Sequence, residues 1–402
     1  MRLSHAGARR AELRTKKKLD TALRFVVVIG IVNLFADMTY EGARGVSGAF
    51  LGHLGANGAT VGAVAGGGEL AGYLVRSISG AIADRTRRYW INIWVGYAIN
   101  MLCVPALALA GNWPAAAGLL VGERVGRGIR KPVMAAVLSE AGRHLGSGRA
   151  FGINEALDQI GATAGPLIVA FAIARGGFTK GFGVLLVPAL ITLAVLGVAA
   201  WAGQALVPRD DGEPEESEDG DRAALTRYTI GGALFAAGYV DFALIAFHFS
   251  QAGIMSVAAI SVSFAIAMAA GAVVSPVAGH FFDRFGKPVI ALALGVTALG
   301  APLAFFGKGA TAVAGAAVWG VGIAVQDALL LALVATAIAR RRKATSFGLY
   351  DLAFGIAWFA GSVVSGLLLD RSIPALVAFS MLLQLAAIPF FVSGKRPVQA
   401  RS

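Results

Sequence analysis

Long apolar segments that alternate with short charged gaps are the feature that most restricts how this chain of 402 residues can fold. Hydrophobic residues make up 57% of the sequence and charged residues 14%, whereas soluble domains average about 25% charged residues. A helix needs about 20 apolar residues to cross the hydrocarbon core of a bilayer. The pattern therefore predicts an all-α, multi-pass membrane protein and excludes one or two large soluble domains.

Twelve apolar runs lie between the gaps, and each is predicted to be a transmembrane helix. They cover residues 23–51, 60–83, 90–110, 115–138, 151–174, 182–206, 228–250, 255–282, 288–306, 311–338, 346–369 and 374–392. An acidic stretch that contains proline separates the first six runs from the second six and is predicted to be a flexible tether. The predicted units are a basic segment 1–22, a first bundle 23–207, a linker 208–223, a second bundle 224–393 and a tail 394–402.

The basic residues predict the orientation of the chain in the membrane. The formal net charge is +12, but the lysines and arginines lie mostly in short gaps on one side: the N-terminus, the loops around Arg85, Arg143, Arg284 and Arg341, the linker and the tail. Cytoplasmic loops carry an excess of such residues. We therefore expect both termini on the cytoplasmic side of a bacterial inner membrane, and no nucleic-acid partner. The first run is too long for a signal peptide and is expected to remain as the first helix.

The two halves of the chain resemble one another. Residues 80–88 (GAIADRTRR) correspond to 279–287 (GHFFDRFGK) at an offset of 199 residues, and 150–155 (AFGINE) correspond to 346–351 (SFGLYD) at an offset of 196. Two independent matches at nearly one offset indicate a duplicated six-helix unit, and repeated halves are an architecture of transporters.

Four short motifs make the chain similar to transporters of the major facilitator superfamily over essentially its whole length. The loop motif G-x-x-x-D-R-x-G-R is met by Gly80, Asp84, Arg85 and Arg88, with Arg87 in place of the second glycine. Its second copy has Gly279, Asp283, Arg284 and Gly286. The span-4 motif R-x-x-x-G is met by Arg124 and Gly128. The span-5 motif G-x8-G-x3-G-P-x-x-G-G is met by Gly152, Gly161, Gly165 and Pro166, while Val169 and Ala170 replace its final pair.

The resemblance implies two pseudo-symmetric six-helix bundles. In that family the span-5 motif is associated with antiporters that exchange protons for an exported compound, and the span-4 arginine with proton coupling or substrate charge. Asp84 is expected to lie near the start of span 11, where a helix N-terminus favours a carboxylate, and to latch the halves. Asp283 is expected to do the same at span 5. The alternative is that these loop charges only set topology.

Small residues of span 5 are predicted to pack against a neighbouring helix. Gly161 and Gly165 are four residues apart, which lets two backbones approach closely, and Pro166 is expected to kink the helix locally. Ordinary helix packing in a glycine-rich chain is the alternative.

Ionisable residues within the spans are the candidate functional groups, because charge at membrane depth is costly. Four polar residues lie on one face of span 1, at spacings of four, four and three: Asn33, Asp37, Glu41 and Arg44. Two carboxylates one turn apart in a poorly solvated cavity cannot both ionise at low cost, so one of them is expected to carry a proton. The alternative is a structural network between Glu41 and Arg44.

Further candidates lie in other spans. Arg124 is near the midplane of span 4, and Glu155 and Asp158 are three apart in span 5, where Glu155 fits a gate as well as a binding role. The remaining interior charges of the second half are Asp241, Asp327 and Asp351. Glu69 and Arg76 are predicted to be a structural or gating pair. Aromatic residues expected at the cavity are Tyr40, Trp319, Tyr350, Phe354 and Trp358.

Two transport functions are consistent with these residues. The first is proton-coupled efflux of a small compound, with lipophilic cations as a candidate class because aromatic faces and carboxylates attract them. The second is proton-linked import of a small sugar or organic anion, with Arg44 and Arg124 binding the substrate. The five histidines show no nucleophile–base or metal spacing, so an enzyme is not expected. We expect no cofactor or metal, a proton gradient as energy source, and a functional monomer.

Overall fold

The computed structural model describes residues 2–145, 147–202, 221–337 and 343–393, and every regular element within them is helical. The helices are α1 (Arg2–Arg44), α2 (Ser47–His53), α3 (Gly58–Thr86), α4 (Tyr89–Ala106), α5 (Trp113–Leu145), α6 (Ser147–Gly183), α7 (Leu186–Ala202), α8 (Arg222–Gly238), α9 (Phe242–Gln251), α10 (Val257–Phe285), α11 (Lys287–Ala298), α12 (Gly300–Phe306), α13 (Ala310–Ala324), α14 (Leu331–Ala337), α15 (Lys343–Arg371) and α16 (Ile373–Val392). A 3₁₀ turn, Leu107–Leu109, follows α4, and a π-helical segment, Val325–Leu330, joins α13 to α14.

Nine segments of the described chain are long and apolar enough to cross a membrane, and one of them, Gly152–Trp201, contains both α6 and α7. Helices α3 and α5 are not among the nine, although they have 29 and 33 residues. They carry several charged residues, including Glu69 in α3 and Arg124 in α5. The all-helical membrane fold is confirmed, whereas the number of twelve spans stays a prediction.

Several predicted spans are interrupted in the structure, and in the first and the seventh the break lies between two helices that bear on the site. In the first, α1 ends at Arg44 and α2 begins at Ser47. In the seventh, the carboxylate of Asp241 accepts a hydrogen bond from the backbone N–H of Ala243 at 2.9 Å and begins α9. An aspartate at a helix N-cap satisfies a backbone donor that would otherwise lack a partner.

Helix α6 is interrupted near its end and not at Pro166, where a local kink is predicted. The helix continues through Pro166, and its non-helical residues are Gly176 (φ −175°, ψ 28°) and Gly177 (φ 66°, ψ −164°). Glycine adopts a positive φ without the steric cost that other residues meet. The break therefore lies at the far end of this helix, away from the proline.

The first and second halves of the chain pack closely against each other on one of the two sides of the molecule. Arg85 lies in the last turn of α3 and Arg284 in the last turn of α10, and we call the side of the molecule where these helices end the basic side and the other side the opposite side. One hydrophobic core contains Phe50 and Ala243 and continues through both halves, whereas the second, around Ile93 and Val137, belongs to the first half alone. The shared core therefore joins the halves near the opposite side.

Glycines bring backbones of the two halves into contact on the opposite side. A Cβ added at Gly48 would overlap the backbone of Ala243, and one at Gly62 would overlap the carbonyl group of Ser362. Helices approach this closely in membranes where small residues line the contact. Any larger side chain at these positions would push the halves apart.

Two polar contacts join the halves in the same region. The carboxylate of Asp370, at the end of α15, accepts hydrogen bonds from the backbone N–H groups of Gly58 and Ala59, each at 2.8 Å. The hydroxyl of Ser261 in α10 donates to the carbonyl of Pro166 in α6 at 2.7 Å. The molecule is therefore closed on the opposite side.

Candidate functional site

A cavity of about 500 Å³ lies between the two halves. It is closed by the contacts on the opposite side and reaches towards the basic side, where Lys131, Glu155 and Asp327 are exposed. Its charged lining residues are Asp37, Glu41, Arg44, Glu69, Arg76, Arg127, Lys131, Glu155, Asp158, Asp327 and Asp351. The sequence-predicted candidates of spans 1, 5, 10 and 11 therefore meet in one place.

Ion pairs connect three helices of the first half in a continuous chain. Arg44 lies 3.6 Å from Glu41 and 3.8 Å from Glu69, and Arg124 lies 3.2 Å from Glu69 and 3.1 Å from Glu123. These side chains are between 5% and 15% exposed. Removing one partner of a buried pair leaves an uncompensated charge, which is strongly destabilising. Arg44, Arg124 and Glu41 are therefore held in a structural network that extends the predicted contact of Glu41 with Arg44.

Tyr40 lies at the centre of three guanidinium groups. Arg127, Arg124 and Arg44 lie 4.2, 5.0 and 6.0 Å from the centre of its ring, and Arg127 also donates a hydrogen bond to its hydroxyl. The face of an aromatic ring attracts cations. Within the described chain, neither Arg127 nor Lys131 forms an ion pair, although both line the cavity.

Asp37 is connected to a buried polar network that involves α1, α4 and α5. Its carboxylate lies 3.6 Å from Arg130, which donates to the hydroxyl of Tyr97 at 3.1 Å. Tyr97 in turn donates to the side-chain carbonyl of Asn33. Within the described part of the chain, Arg130 is therefore the single cationic partner of Asp37.

The same network reaches Asp158 in α6. The amide of Asn33 donates to Asn154 at 2.7 Å, and the amide of Asn154 donates to Oδ2 of Asp158 at 3.0 Å. The other oxygen, Oδ1, is buried and has no hydrogen-bond partner among the described residues. Asp158 also forms no ion pair within the described chain, unlike Asp37. Asp37 and Asp158 are thus two ends of one polar network. The charge of Asp37 is compensated by Arg130, whereas that of Asp158 has no ion-pair partner in the described chain.

The wall contributed by the second half is acidic and aromatic. Asp327 lies on the π-helical segment, and the amide of Gln326 donates to its carboxylate at 3.3 Å. Single π-helical turns within α-helices occur frequently at functional sites. Tyr350, Phe354 and Trp358, four residues apart on α15, form a continuous ladder with ring centres 5.9 and 5.8 Å apart.

One ion pair crosses the cavity from one half to the other. Arg76 in α3 lies 3.5 Å from Asp351 in α15, and its guanidinium lies 5.2 Å from the ring centre of Tyr73. The predicted pair of Glu69 with Arg76 is wrong: Glu69 bonds to arginines within its own half, whereas Arg76 bonds to the second half.

Asp241 lies outside the main cavity. It is 2% exposed, caps α9, and accepts a hydrogen bond from the indole of Trp358 at 3.4 Å. Together with Glu123 and Arg124 it lines a separate void of about 20 Å³.

The loop motif is described only in part. The side chain of Asp84 and those around Gly148 lie outside the described residues, so the predicted latch stays a prediction. The other charged residues of the two motif copies are exposed on the basic side: Arg85, Arg88, Asp283 and Arg284. The motif glycines have open surroundings. A Cβ added at Gly279 would meet nothing within 4 Å, and one at Gly80 would meet Pro132 at 3.8 Å.

The glycines of the span-5 motif do not all have the same surroundings. A Cβ at Gly161 would overlap the carbonyl of Leu34 in α1, and one at Gly165 would overlap that of Met38. Gly152 lies in open space, where a Cβ would meet nothing within 4 Å. The close contact between α1 and α6 therefore involves the later two glycines and not the first.

Several residues of the site were not singled out from the sequence. The helical spacing of span 1 indicates Asn33, whereas the signal for its partners Tyr97 and Asn154 is only that they are polar residues within apolar spans. Lys131 and Asp370 lie near predicted span ends, where charge is expected, and nothing in their sequence context distinguishes them from topology signals.

No family model matches the sequence. The uncharacterised proteins Rv2265 of Mycobacterium tuberculosis and Mb2288 of Mycobacterium bovis are each 36% identical over 416 aligned residues, which cover 100% of this chain and 98% of theirs. The chain belongs to the same family as these proteins. A methanogen protein described as an MFS-type transporter, MJ1317 of Methanocaldococcus jannaschii, is 28% identical over 141 residues, or 35% of each chain.

Solved structures with the same architecture are those of transporters. A crystal structure of the nucleoside transporter NupG has a TM-score of 0.69 at 15% identity, covering 92% of this chain and 100% of its own. A structure from work on proton-dependent oligopeptide transporters has a TM-score of 0.66 at 18% identity, covering 91% and 96%. The fold is therefore that of the major facilitator superfamily.

Proposed function

We propose that this chain is a proton-coupled secondary transporter that works by alternating access and exports a small compound. The fold, the cavity between the halves and the closed opposite side support transport, because such carriers bind substrate at the interface of two repeats that rock against each other. The positive-inside rule supports a cytoplasmic basic side. The structure then corresponds to the state that is open to the cytoplasm.

The carboxylate of Asp158, which has one buried oxygen without a hydrogen-bond partner and no ion pair within the described chain, is the observation that supports proton coupling. A buried charge without a partner is expensive in a low-dielectric site, so a carboxyl there is favoured in its protonated, neutral form. Asp37, at the other end of the polar network, has Arg130 to compensate its charge. We assign the proton to Asp158 in this state, and Asp37 and Glu41 become supporting residues.

The charge of the cavity supports a cationic substrate. Glu155, Asp158 and Asp327 line it without an ion-pair partner in the described chain, and the aromatic ladder of α15 forms part of the wall. A competing proton at Asp158 would lower the affinity for a cation, which is the behaviour that antiport requires. The resemblance to the antiporter motif in span 5 points in the same direction.

Import of an organic anion is the second candidate, and one observation favours it. Arg127 and Lys131 line the cavity and form no ion pair in the described chain. Arg44 and Arg124, the residues expected to bind an anion, are instead occupied by carboxylates. An anion would therefore have to bind at Arg127 and Lys131.

Transport into proteoliposomes with a clamped membrane potential tests the proposal. We expect a quaternary cation to accumulate when the lumen is acidic, because protons leaving the vesicle drive an antiporter's substrate inwards. Asp158→Asn is expected to abolish this accumulation and to retain substrate exchange without a gradient, since exchange needs no net proton movement. Glu155→Gln, one turn away, is the matched control and is expected to keep gradient-driven uptake.

Two outcomes would contradict the proposal. Accumulation driven by an acidic exterior would indicate symport, and an organic anion would then be the substrate to test. Full gradient-driven uptake by Asp158→Asn would remove this residue from the proton pathway. Vesicles without protein control for passive distribution of the cation.

A further inference from the structure

The environment of Arg76 is that of a cation-binding site that is already filled. Its guanidinium lies between the carboxylate of Asp351, at 3.5 Å, and the ring of Tyr73, at 5.2 Å from the centre. A carboxylate and an aromatic face are the two groups that bind organic cations in proteins. Here both are supplied to a side chain of the protein itself.

This guanidinium is accessible from the cavity. Arg76 is 34% exposed and Asp351 19% exposed, and both line the cavity together with Tyr73. Ion pairs that water reaches contribute about 0 to 1 kcal/mol. The buried pairs of Arg44 and Arg124 are much less accessible, with arginine side chains 9% and 12% exposed. Among the arginines that form ion pairs in the described chain, Arg76 is thus the one that can leave its partner most easily.

Further acidic and aromatic groups lie in the cavity beside the partners of Arg76. Asp327 is exposed in the same cavity and interacts electrostatically with Asp351, as does the ammonium group of Lys131. Phe354 continues the aromatic surface, with its ring centre 6.0 Å from that of Tyr73. A planar cation that takes the place of the guanidinium would therefore contact Asp351 and the ring of Tyr73, with Phe354 beside that ring and Asp327 in the same cavity.

We propose that the wall formed by Tyr73, Asp351, Asp327 and Phe354 is the binding subsite for an organic cation with a planar or aromatic group, and that Arg76 occupies it as an internal substitute when no substrate is bound. The inference rests on the proposed transport function and names its substrate class. Arg76 belongs to the first half and Asp351 to the second, so a substrate that displaces Arg76 also removes a contact between the halves. Substrate binding would then favour their separation at this level.

Equilibrium binding to the purified full-length protein tests the subsite, with benzylguanidine as the cation and benzylurea as its neutral analogue. Arg76→Gln removes the internal competitor and is expected to bind benzylguanidine about tenfold more tightly than the unmodified protein, or about 1.4 kcal/mol. Arg76→Lys retains a competing cation and is the matched control, with an affinity near that of the unmodified protein. Asp351→Asn is expected to weaken binding at least tenfold, and benzylurea is expected not to bind.

The proposal is overturned if Arg76→Gln binds benzylguanidine no more tightly than the unmodified protein, or if benzylurea binds equally well. Unchanged binding by Asp351→Asn overturns it too, as does a lack of binding by Arg76→Gln. No gradient is present in this measurement, so it is independent of proton coupling. If benzylguanidine binds as predicted but no gradient-driven uptake occurs, the proposed function alone is rejected. If gradient-driven uptake occurs but Arg76→Gln binds benzylguanidine no differently from the unmodified protein, the subsite alone is rejected.

Discussion

At the scale of single residues, the backbone conformation explains why the loop motif has glycine at its second glycine position. In the first half this position is Arg87, which ends α3 with φ 58° and ψ 14°. In the second half it is Gly286, which ends α10 with φ 71° and ψ −143°. Both backbones are in a region that favours glycine, and Gly286 is in a part of it that is essentially restricted to glycine. A glycine at this position therefore makes the turn between consecutive helices without the steric cost that Arg87 meets in the first half.

Arg87→Gly and Gly286→Ala are expected to change the free energy of unfolding in opposite directions. A residue with a Cβ in the left-handed region costs roughly 1–2 kcal/mol, of which glycine's larger unfolded-state entropy offsets about 0.5–1 kcal/mol. Arg87→Gly is thus expected to stabilise by about 0.5 kcal/mol, and Gly286→Ala to destabilise by about 1–3 kcal/mol. Thermal unfolding of the purified protein measures both. Arg88→Gly, whose φ is −95°, is the control and should not stabilise; equal effects of the two Arg→Gly changes would contradict the explanation.

At the scale of helices, the contacts that close the opposite side include a carboxylate of the second half, Asp370, that caps α3 of the first half. Asp370 accepts from the first two backbone N–H groups of α3, and a helix N-terminus carries partial positive charge. Loss of such a cap costs about 0.5–2 kcal/mol. Asp370→Ala should therefore shift the protein towards a state that is open on the opposite side.

Spin labels on His53 and Arg371, in a background with Cys103→Ala, would measure this shift. Both sites are exposed and belong to different halves. We expect a larger population of long distances in Asp370→Ala. Asp221→Ala is the matched control, because Asp221 caps α8 within its own half by accepting from Ala224 at 2.9 Å. An equal response to both variants would indicate general destabilisation and not an opened contact.

The segments that form helices could be predicted from the sequence, whereas most contacts between side chains of different helices could not. Apolar runs and charged gaps give the helices because length and hydropathy are local properties. The shared face of Asp37, Glu41 and Arg44 is also local, since it follows from helical spacing. The pairing of Arg76 with Asp351 depends on how two helices from different halves are rotated and shifted, and spacing along one helix contains no such information. The same reason explains why Asp370 could not be assigned to α3.

At the scale of the whole molecule, the alternating directions of the helices lead to a topology that can be measured. Lys308 lies between α12 and α13 on the opposite side, whereas α16 ends on the basic side and Lys395 follows it in the sequence. With twelve spans, a fluorescent reporter that folds only in the cytoplasm should be dark after Lys308 and bright after Lys395. A reporter after Gly286 is the control and should be bright. Equal signals after Lys308 and Lys395 would exclude this topology.

The glycine contacts between the halves also bear on how fast the molecule can change state. Where a Cβ at Gly48 or Gly62 would overlap the facing backbone, the halves touch through atoms whose hydrogen bonds are already made within their own helices. Among the described residues, the direct hydrogen bonds that must break on this side are those of Asp370 and Ser261. Dispersion contacts are individually weak and weaken steeply with separation. The activation barrier to opening should therefore be concentrated at these two polar residues, and the turnover rate should respond to them more than to any apolar residue of the interface.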